Sequence, residues 1–525
     1  MFRESSLNRR HRGYQSAVSS LWMKSVKVDP PVRSITDSRF DYVVVGGGIT
    51  GVTTALLLGR SGADVALVEA RQLGAVATGN TTAKVSVLQG TRLSSISSKH
   101  SAAALRGYVD ANVEAQQWLL AFCAQHDVPF QIETAYTYAQ SDKGIDSIRK
   151  EFQAGQKAGL DVRWVDDPGT PFPSVAAVAL DNQAQFHPLD ALEALVAEAQ
   201  RHGVQVYENT RVVSVHSKDG DQILRTDQVD PVTGDDVTVR GRKIILATGT
   251  PILDRGGFFA RVHPERSYAA AFSVSEPIMA GMYLAADQPS RSVRWVPGPN
   301  GEPLLLTGGS GHPVGRAKSE QEHVDELIDW TTTYFPTAEL THQWSAQDYI
   351  TIDELPYVGP ILPGHDSIYV ATGFAKWGMT NGVAAALALA GRLLGGGPAW
   401  AEYLDSSRPA QVVGVPSAAV INAEVGLHMA KGWAGAAIKP GSSTTTDETV
   451  PEGGGVLRRD GARPMGVCTV EGQTHKVSAV CPHLAGVLNW NDAEKSWDCP
   501  LHGSRFAADG AVLEGPATRP LTKLD

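Results

Sequence analysis

Apolar residues come in short bursts near the start of the chain, punctuated by glycine. In "FDYVVVGGGITGVTTALLLGRSGADVALVEA" (40–70), Tyr42–Val45 form a four-residue apolar run and three glycines follow. Ile49–Gly59 is longer and rich in helix formers, and Val65–Val68 is a second short run ending on Glu69. Run length separates strand from helix here, and the order is that of a βαβ unit. "RKIILATGT" (242–250) and "SIYVATGF" (367–374) are β-branched runs that end in Thr-Gly, as central strands of a parallel sheet do. Between them, residues 265–350 contain alternating segments such as "YAAAFSVS" and "EPLLLTGG", which predict an antiparallel layer interrupting the parallel one. "VEAQQWLLAFCAQ" is amphipathic with Cys123 on its apolar side, where a thiol behaves as a small hydrophobe. "GSSTTTDETVPEGGG" (441–455) is polar and aperiodic and reads as a linker with a reach of about 20 Å if it behaves as a coil. No internal repeat is present.

Composition changes the picture little. The 525 residues are 42% hydrophobic and 19% charged, enough for two or three globular domains. Net charge is −10, but the first forty residues carry +5, which leaves an acidic body of −15 that excludes nucleic acid as a natural partner. Residues 1–40 are therefore expected to be a basic, disordered arm. Four cysteines are too few for a disulfide framework, so a reducing, cytoplasmic setting is expected. The arm lacks the apolar stretch of a secretory signal, although its serines and arginines leave an organelle transit peptide open. No uninterrupted apolar run approaches membrane length.

Gly46, Gly48 and Gly51 fit G-x-G-x-x-G between a strand and a helix. Such glycines turn the chain tightly, let backbone approach a pyrophosphate and let the helix pack on the strand. Glu69, eighteen residues beyond Gly51, can accept hydrogen bonds from both ribose hydroxyls. The turn thus points to a dinucleotide without choosing between FAD and NAD, and a glycine turn with no ligand is the bland alternative. Four further stretches extend the pattern: "ATGNTTAKVS" (77–86), "NTRVVSV" (209–215), "DELPYVGP" (353–360) and "ATGFAKWGMTNG" (371–382). With them, residues 41 to about 400 resemble the D-amino-acid oxidase and glycine oxidase superfamily. That resemblance implies FAD, lined by Gly46, Gly48, Gly51, Glu69, Thr82, Val213, Gly249, Gly373 and Met379. It also implies FAD-binding parts at about 41–130, 181–264 and 345–400, with substrate-domain parts at about 131–180 and 265–344. The 78–84 loop holds no histidine, so covalent flavin attachment there is not expected.

Near the C-terminus, Cys481-x-His483 and Cys499-x₂-His502 are separated by fifteen residues. Zinc fingers normally pair cysteine with cysteine and histidine with histidine. Mixed boxes suit a [2Fe–2S] cluster with two thiolates on one iron and two imidazoles on the other. Zinc, or no metal, remain the alternatives from spacing alone. "CPLHGSRF" resembles the second loop of Rieske proteins, which implies a small all-β domain over 456–525, reached through a connecting segment (401–440) and the linker. Respiratory Rieske proteins carry an extra cysteine in each loop, and here Gly486 and Leu501 stand in those places. Ser504 is placed to donate to a bridging sulfide, and Phe506 stands where the high-potential proteins have tyrosine. Fewer donors predict a lower potential.

The expected fold is thus an α/β Rossmann-like FAD domain with an inserted, mostly antiparallel β substrate domain and a C-terminal Rieske domain. It resembles bacterial FAD-dependent oxidoreductases with such a tail, and "SSLWMKS" (19–25) resembles their lead-in. By that resemblance the expected reaction is hydride removal from a small amine or amino acid, with electrons leaving through the cluster to a one-electron acceptor, possibly another protein. An electron relay or a redox sensor without its own organic substrate is the alternative; no second glycine fingerprint serves NAD(P)H. Only 23 residues follow His502, too few for the iron domain of a Rieske oxygenase. Arg294, His312, Tyr268 and Tyr349 lie in segments expected to face the flavin and are the catalytic candidates, each also readable as structural. Trp377 is a candidate stacking residue, and His187 and His202 read as surface histidines. The two modules are expected to be separable, so that removing the last 75 residues would spare the flavin chemistry.

Overall fold

The computed structural model describes residues 19–36, 38–298, 301–408, 415–438, 449–461 and 463–524. The first eighteen residues and 441–448 of the linker lie outside them. The parallel runs assemble into one sheet in the order Tyr357–Pro360, Ile368–Thr372, Asp236–Leu246, Arg39–Val45, Val65–Val68 and Gln205–Tyr207, with the hairpin Val212–Lys218/Asp221–Val229 attached. Neighbours among its central strands are parallel. Successive side chains alternate between two cores: Val44 and Leu67 face the helices, while Val43, Val45, Ala66 and Val68 face the hairpin side. Burial on both faces explains the unbroken apolar runs.

Helices Ile49–Arg60, Pro188–Arg201 and Gly378–Leu394 pack on the first face. Pro188 at the first helical position and Asp190 in the first turn start the second of these, and His187 Nδ1 accepts from Asp190 N at 3.3 Å. His187 is thus a capping residue packed edge-on against Trp22, with ring centroids 5.0 Å apart, and not a plain surface histidine.

A nine-stranded, mostly antiparallel sheet forms the second layer, in the order Glu339–Thr351, Val262–Ser273, Pro303–Pro313, Arg291–Pro297, Met282–Ala285, Phe130–Ala139, Ala176–Phe186 and Lys84–Val85, with Arg163–Val165 alongside. Its strands are long enough to cross the expected boundaries. Ala176–Phe186 and Glu339–Thr351 run through the divisions placed at 180 and 344, and Lys84–Val85 joins the second sheet from within the first domain's expected span.

Part of the arm is ordered as well. Trp22 is buried, and its indole N–H donates to Thr81 O at 2.7 Å. Asp29 N and O bond the Gln200 side chain at 3.1 and 2.8 Å. One large apolar ring with its polar atom satisfied outweighs the basic composition that suggested disorder.

The C-terminal domain has a three-stranded sheet (Gly455–Asp460, Arg463–Val470, Gln473–Ser478) and a four-stranded one (Asn489–Asn491, Ser496–Asp498, Arg505–Ala507, Val512–Glu514). Between them lies a core of Cys468, Val477, Leu488, Trp497 and Phe506. No helix among the described residues is long and apolar enough to cross a membrane.

Candidate functional site

A cavity of about 540 Å³ runs from the glycine turn between the two large sheets. Gly46 has φ +113°, and a Cβ there would lie 2.3 Å from Ala247 O; at Gly51 a Cβ would lie 1.9 Å from Gly46 O. The turn closes only without side chains. The helix that follows starts at Gly48, which has no side chain to cap it; Thr78 Oγ1 accepts from Ile49 N at 3.0 Å, and the first residues line the cavity, so the positive end of the helix faces the space. Glu69 Oε2 accepts from Gly47 N at 2.6 Å and Oε1 from Arg71 N at 2.8 Å. Burial raises its pKa against these hydrogen bonds. Each carboxyl oxygen keeps a lone pair for a ribose hydroxyl. A helix end facing the cavity, a turn closed to side chains and a half-buried acid fit the pyrophosphate and ribose of a dinucleotide.

Of the residues expected at FAD, Gly46, Gly48, Glu69, Thr82, Gly249 and Met379 line the cavity. Gly51, Val213 and Gly373 do not. Gly51 lies beneath the Gly46 carbonyl, and a Cβ on Gly373 would meet Thr351 Cγ2 at 2.1 Å, so both serve close chain packing. The Val213 carbonyl takes the Thr518 hydroxyl at 3.3 Å, and Arg211 and Val212 line the wall in its place.

Beyond the glycine end the walls turn polar. Lys84 is buried, with Nζ donating to Tyr283 O at 2.9 Å and to Ser292 Oγ at 2.5 Å. Among the described residues no carboxylate pairs with it, and burial, with the nearby Arg294, lowers its pKa to about 7. Glu265 pairs with Lys376 Nζ at 2.9 Å. Burial would raise Glu265, but His263 and Lys376 outweigh it and hold it at about 2. Asp348, accepting from Tyr349 N at 2.7 Å and from Lys376 N, is pushed up to about 6 by burial. Ala375 and Lys376 have φ of 51° and 72°, a local strain at the rim of the cavity beside the lining residue Trp377.

Three of the four catalytic candidates turn away. Arg294 is buried behind Lys84, 5.6 Å from the Trp22 ring, and does not reach the cavity. Tyr268 lends only strand to the wall: its ring joins Ala270 and Phe272 in the core against helix Glu320–Tyr334, because alternate residues of Val262–Ser273 face opposite sides. Its hydroxyl meets His312 Nε2 at 3.0 Å, and His312, lowered to about 4 by burial, is likewise outside the cavity. Tyr349 does line it: the ring lies 3.4 Å from a Cβ built on Gly249, and the hydroxyl donates to Gly515 O at 3.3 Å. Lys84, Glu265, Asp348 and Lys376 went unnoticed in the sequence. The run "GFAKWG" contains only Lys376 of these, and in it Ala375 and Lys376 take glycine-like backbone angles.

The Cys-His boxes come together at the domain interface. Cys481 and Cys499 are buried, and their thiols share a hydrogen bond that lowers Cys481 to about 7 and pushes Cys499 well up. The His483 and His502 rings stand edge to face with centroids 5.1 Å apart, beside Phe259. His483 Nε2 bonds Asp254 Oδ1 at 2.7 Å, which leaves Nδ1 for a metal, and His502 Nδ1 is buried with no partner. Burial lowers His502 to about 4, so it is neutral, as a ligand must be. Two sulfurs on one side and two free Nδ1 atoms on the other fit a diiron cluster. Leu501 packs over Gly486, where a Cβ would lie 2.7 Å from Leu501 Cδ1, so an apolar contact joins the two loops.

A dinucleotide cavity joined to a thiolate–imidazole centre defines a flavoprotein with an iron–sulfur domain. Residues 41–392 match the FAD dependent oxidoreductase family, and residues 445–525 match the Rieske [2Fe-2S] domain. The chain belongs to the FAD dependent oxidoreductase family and carries a C-terminal Rieske domain, so its cofactors are FAD and a [2Fe–2S] cluster. It is 32% identical over 514 residues to the Rieske 2Fe-2S iron-sulfur protein YhfW of Bacillus subtilis (strain 168), covering 97% of this chain and 98% of that one. Among solved structures, glycine oxidase from Geobacillus kaustophilus superposes with a TM-score of 0.57 at 19% identity, over 71% of this chain and 99% of that one. L-proline dehydrogenase from P. horikoshii gives 0.57 at 17%, over 71% and 98%. At such identities these structures establish the fold alone.

Proposed function

We propose that the protein removes a hydride from a small amine or amino acid and passes the electrons, one at a time, through the cluster to a one-electron acceptor. Bound FAD supplies a two-electron hydride acceptor, and the cluster supplies one-electron transfer. The observation that carries this reading is the contact at Gly503. Gln347 lines the cavity and donates from Nε2 to Gly503 O at 2.8 Å, next in the chain to His502. A Cβ on Gly503 would lie 2.6 Å from Pro264 Cβ, and three residues further along the same strand Ser267 lines the cavity, roughly 10 Å away.

In this reading the glycine turn and helix end hold the pyrophosphate and Glu69 the ribose. Cys481 and Cys499 hold one iron, and His483 and His502 the other. Lys84 Nζ, held near neutrality, takes the proton from an ammonium substrate, since only the neutral amine can release hydride. The Glu265–Lys376 pair and the Ser290 and Ser292 hydroxyls position the substrate. The names of the solved relatives, a glycine oxidase and a proline dehydrogenase, support a C–N bond as the one oxidised.

The test is anaerobic mixing with a panel of amines and amino acids, following flavin absorbance and then the EPR signal of the reduced cluster. Bleaching followed by the cluster signal is expected. Bleaching by NADH alone, with every amine and amino acid inert, would replace this reading with the relay.

A further inference from the structure

Residues 512–518 belong by chain to the Rieske domain and by position to the dinucleotide cavity. Leu513, Glu514, Gly515, Ala517 and Thr518 line it. The flavin domain grips this segment at four points: Arg211 Nη2 donates to Val512 O at 3.0 Å, Arg71 Nη1 to Leu513 O at 3.5 Å and the Tyr349 hydroxyl to Gly515 O at 3.3 Å, while Thr518 Oγ1 donates to Val213 O at 3.3 Å. Its own domain grips it too, through Glu514 on Arg505 Nη1 at 2.6 Å and Ala517 N on Ser504 Oγ at 3.0 Å.

We propose that this segment is the adenosine-side wall of the FAD site, so that FAD binding and docking of the Rieske domain stabilise each other. The side is fixed by Glu69, the acid at the end of the second strand. Arg71 follows it by two residues, and Thr210, one residue before Arg211, donates its N–H to Glu69 O at 2.8 Å. Arg71, Arg211 and the Val213 carbonyl, which hold three of the four points, therefore lie at the ribose end of the cavity. A ligand that touches both domains in one site must bind the docked form more tightly, and by linkage its affinity gain equals the gain in docking. The inference rests on FAD occupancy and is independent of which substrate is oxidised.

The test uses the full-length, iron-loaded chain with FAD removed and restored. Hydrogen exchange at 512–518, and at the Glu320 and Gln321 amides that Asp492 holds across the interface, is expected to speed up when FAD is removed. Gly515→Leu, whose new side chain would point at Ile252 in the cavity wall, is expected to raise the FAD dissociation constant about tenfold or more with iron content unchanged. If that variant also loses iron, Thr518→Val removes only the hydroxyl bond to Val213 and should weaken FAD about fivefold, the loss of one neutral hydrogen bond. Exchange that is the same with and without FAD at both places overturns the proposal.

Discussion

Replacing Arg266 by methionine should loosen the Rieske domain without unfolding either domain. Arg266 is 1% exposed on the strand Val262–Ser273. Nη1 meets Ser345 and, across the interface, Glu494; Nη2 meets Gln347 Oε1 at 3.0 Å, with Asp498 Oδ2 at 3.9 Å. Removing one member of a buried pair costs about 3–5 kcal/mol when the other is left stranded. Glu494 is not stranded, because Arg505 of its own domain stays 2.8 Å away. Glu320, pushed up to about 8 by burial and by Asp498 and Asp492, is protonated at pH 7 and needs no cation. The relevant scale is thus one hydrogen bond to a charged group, about 2 kcal/mol, or about 30-fold in the docking equilibrium. The readout is exchange at the Glu320 and Gln321 amides. They lie in the first turn of their helix, where no intrahelical acceptor exists, and donate instead to Asp492 Oδ1 at 2.8 and 3.0 Å. Their protection therefore reports docking and should fall about 30-fold. A folded Arg266→Met protein with protection unchanged to within about twofold would show that the buried charges do not hold the domains together.

Lys84 has a folded pKa of about 7 against an ordinary 10.5, so the unfolded chain binds more protons between those values and stability should rise with pH across that window. Comparing urea unfolding of Lys84→Met and the wild type at pH 6 and pH 10 should show that slope lost in the variant, an effect of at most about 5 kcal/mol; equal slopes would mean the ammonium is not desolvated. The loops meet through Leu501 and Gly486 in place of a disulfide, and Phe506 offers no hydroxyl, so protein-film voltammetry should give a midpoint below that of the respiratory Rieske class within the roughly −150 to +300 mV range of such clusters. A midpoint matching the respiratory class would refute the donor-count argument. Gly486→Ala would set a Cβ 3.0 Å from Cys499 Sγ and should lower bound iron per chain while FAD is retained, as read by metal analysis and absorbance.

What could be read from the sequence was what short spacings encode. The glycine turn, the acid eighteen residues on and the two Cys-His boxes each draw their chemistry from residues a few positions apart, and such patterns survive any arrangement of the rest. The catalytic candidates depended on which face of a strand points at the cavity. Tyr268 failed there, because Val262–Ser273 is covered on both sides and alternation alone does not say which side holds the ligand. Lys84 looked like an ordinary polar residue in a loop, and only its pairing with the strand carrying Gln185 buries it under the second sheet. Trp22 was hidden by the basic residues around it, although an indole in an otherwise polar arm is a recognisable anchor.

The two modules, expected to be separable, share surfaces in the docked structure. A linker in the sequence says where chain connectivity is loose, not where surfaces are independent. Arg71, Arg211 and Tyr349 bond carbonyls of the segment 512–515, and Asp254 bonds His483 beside the cluster. Cutting at the linker would expose the ribose end of the cavity to water and leave Arg266 without Glu494 or Asp498. The flavin domain alone is thus a different site, with a missing wall and an uncompensated charge, and weak FAD binding by such a fragment would reflect that loss and not an absence of flavin chemistry. The His483 and His502 rings meet Phe259, and His483 bonds Asp254, so docking sets the histidine side of the Cys-His centre against the flavin domain.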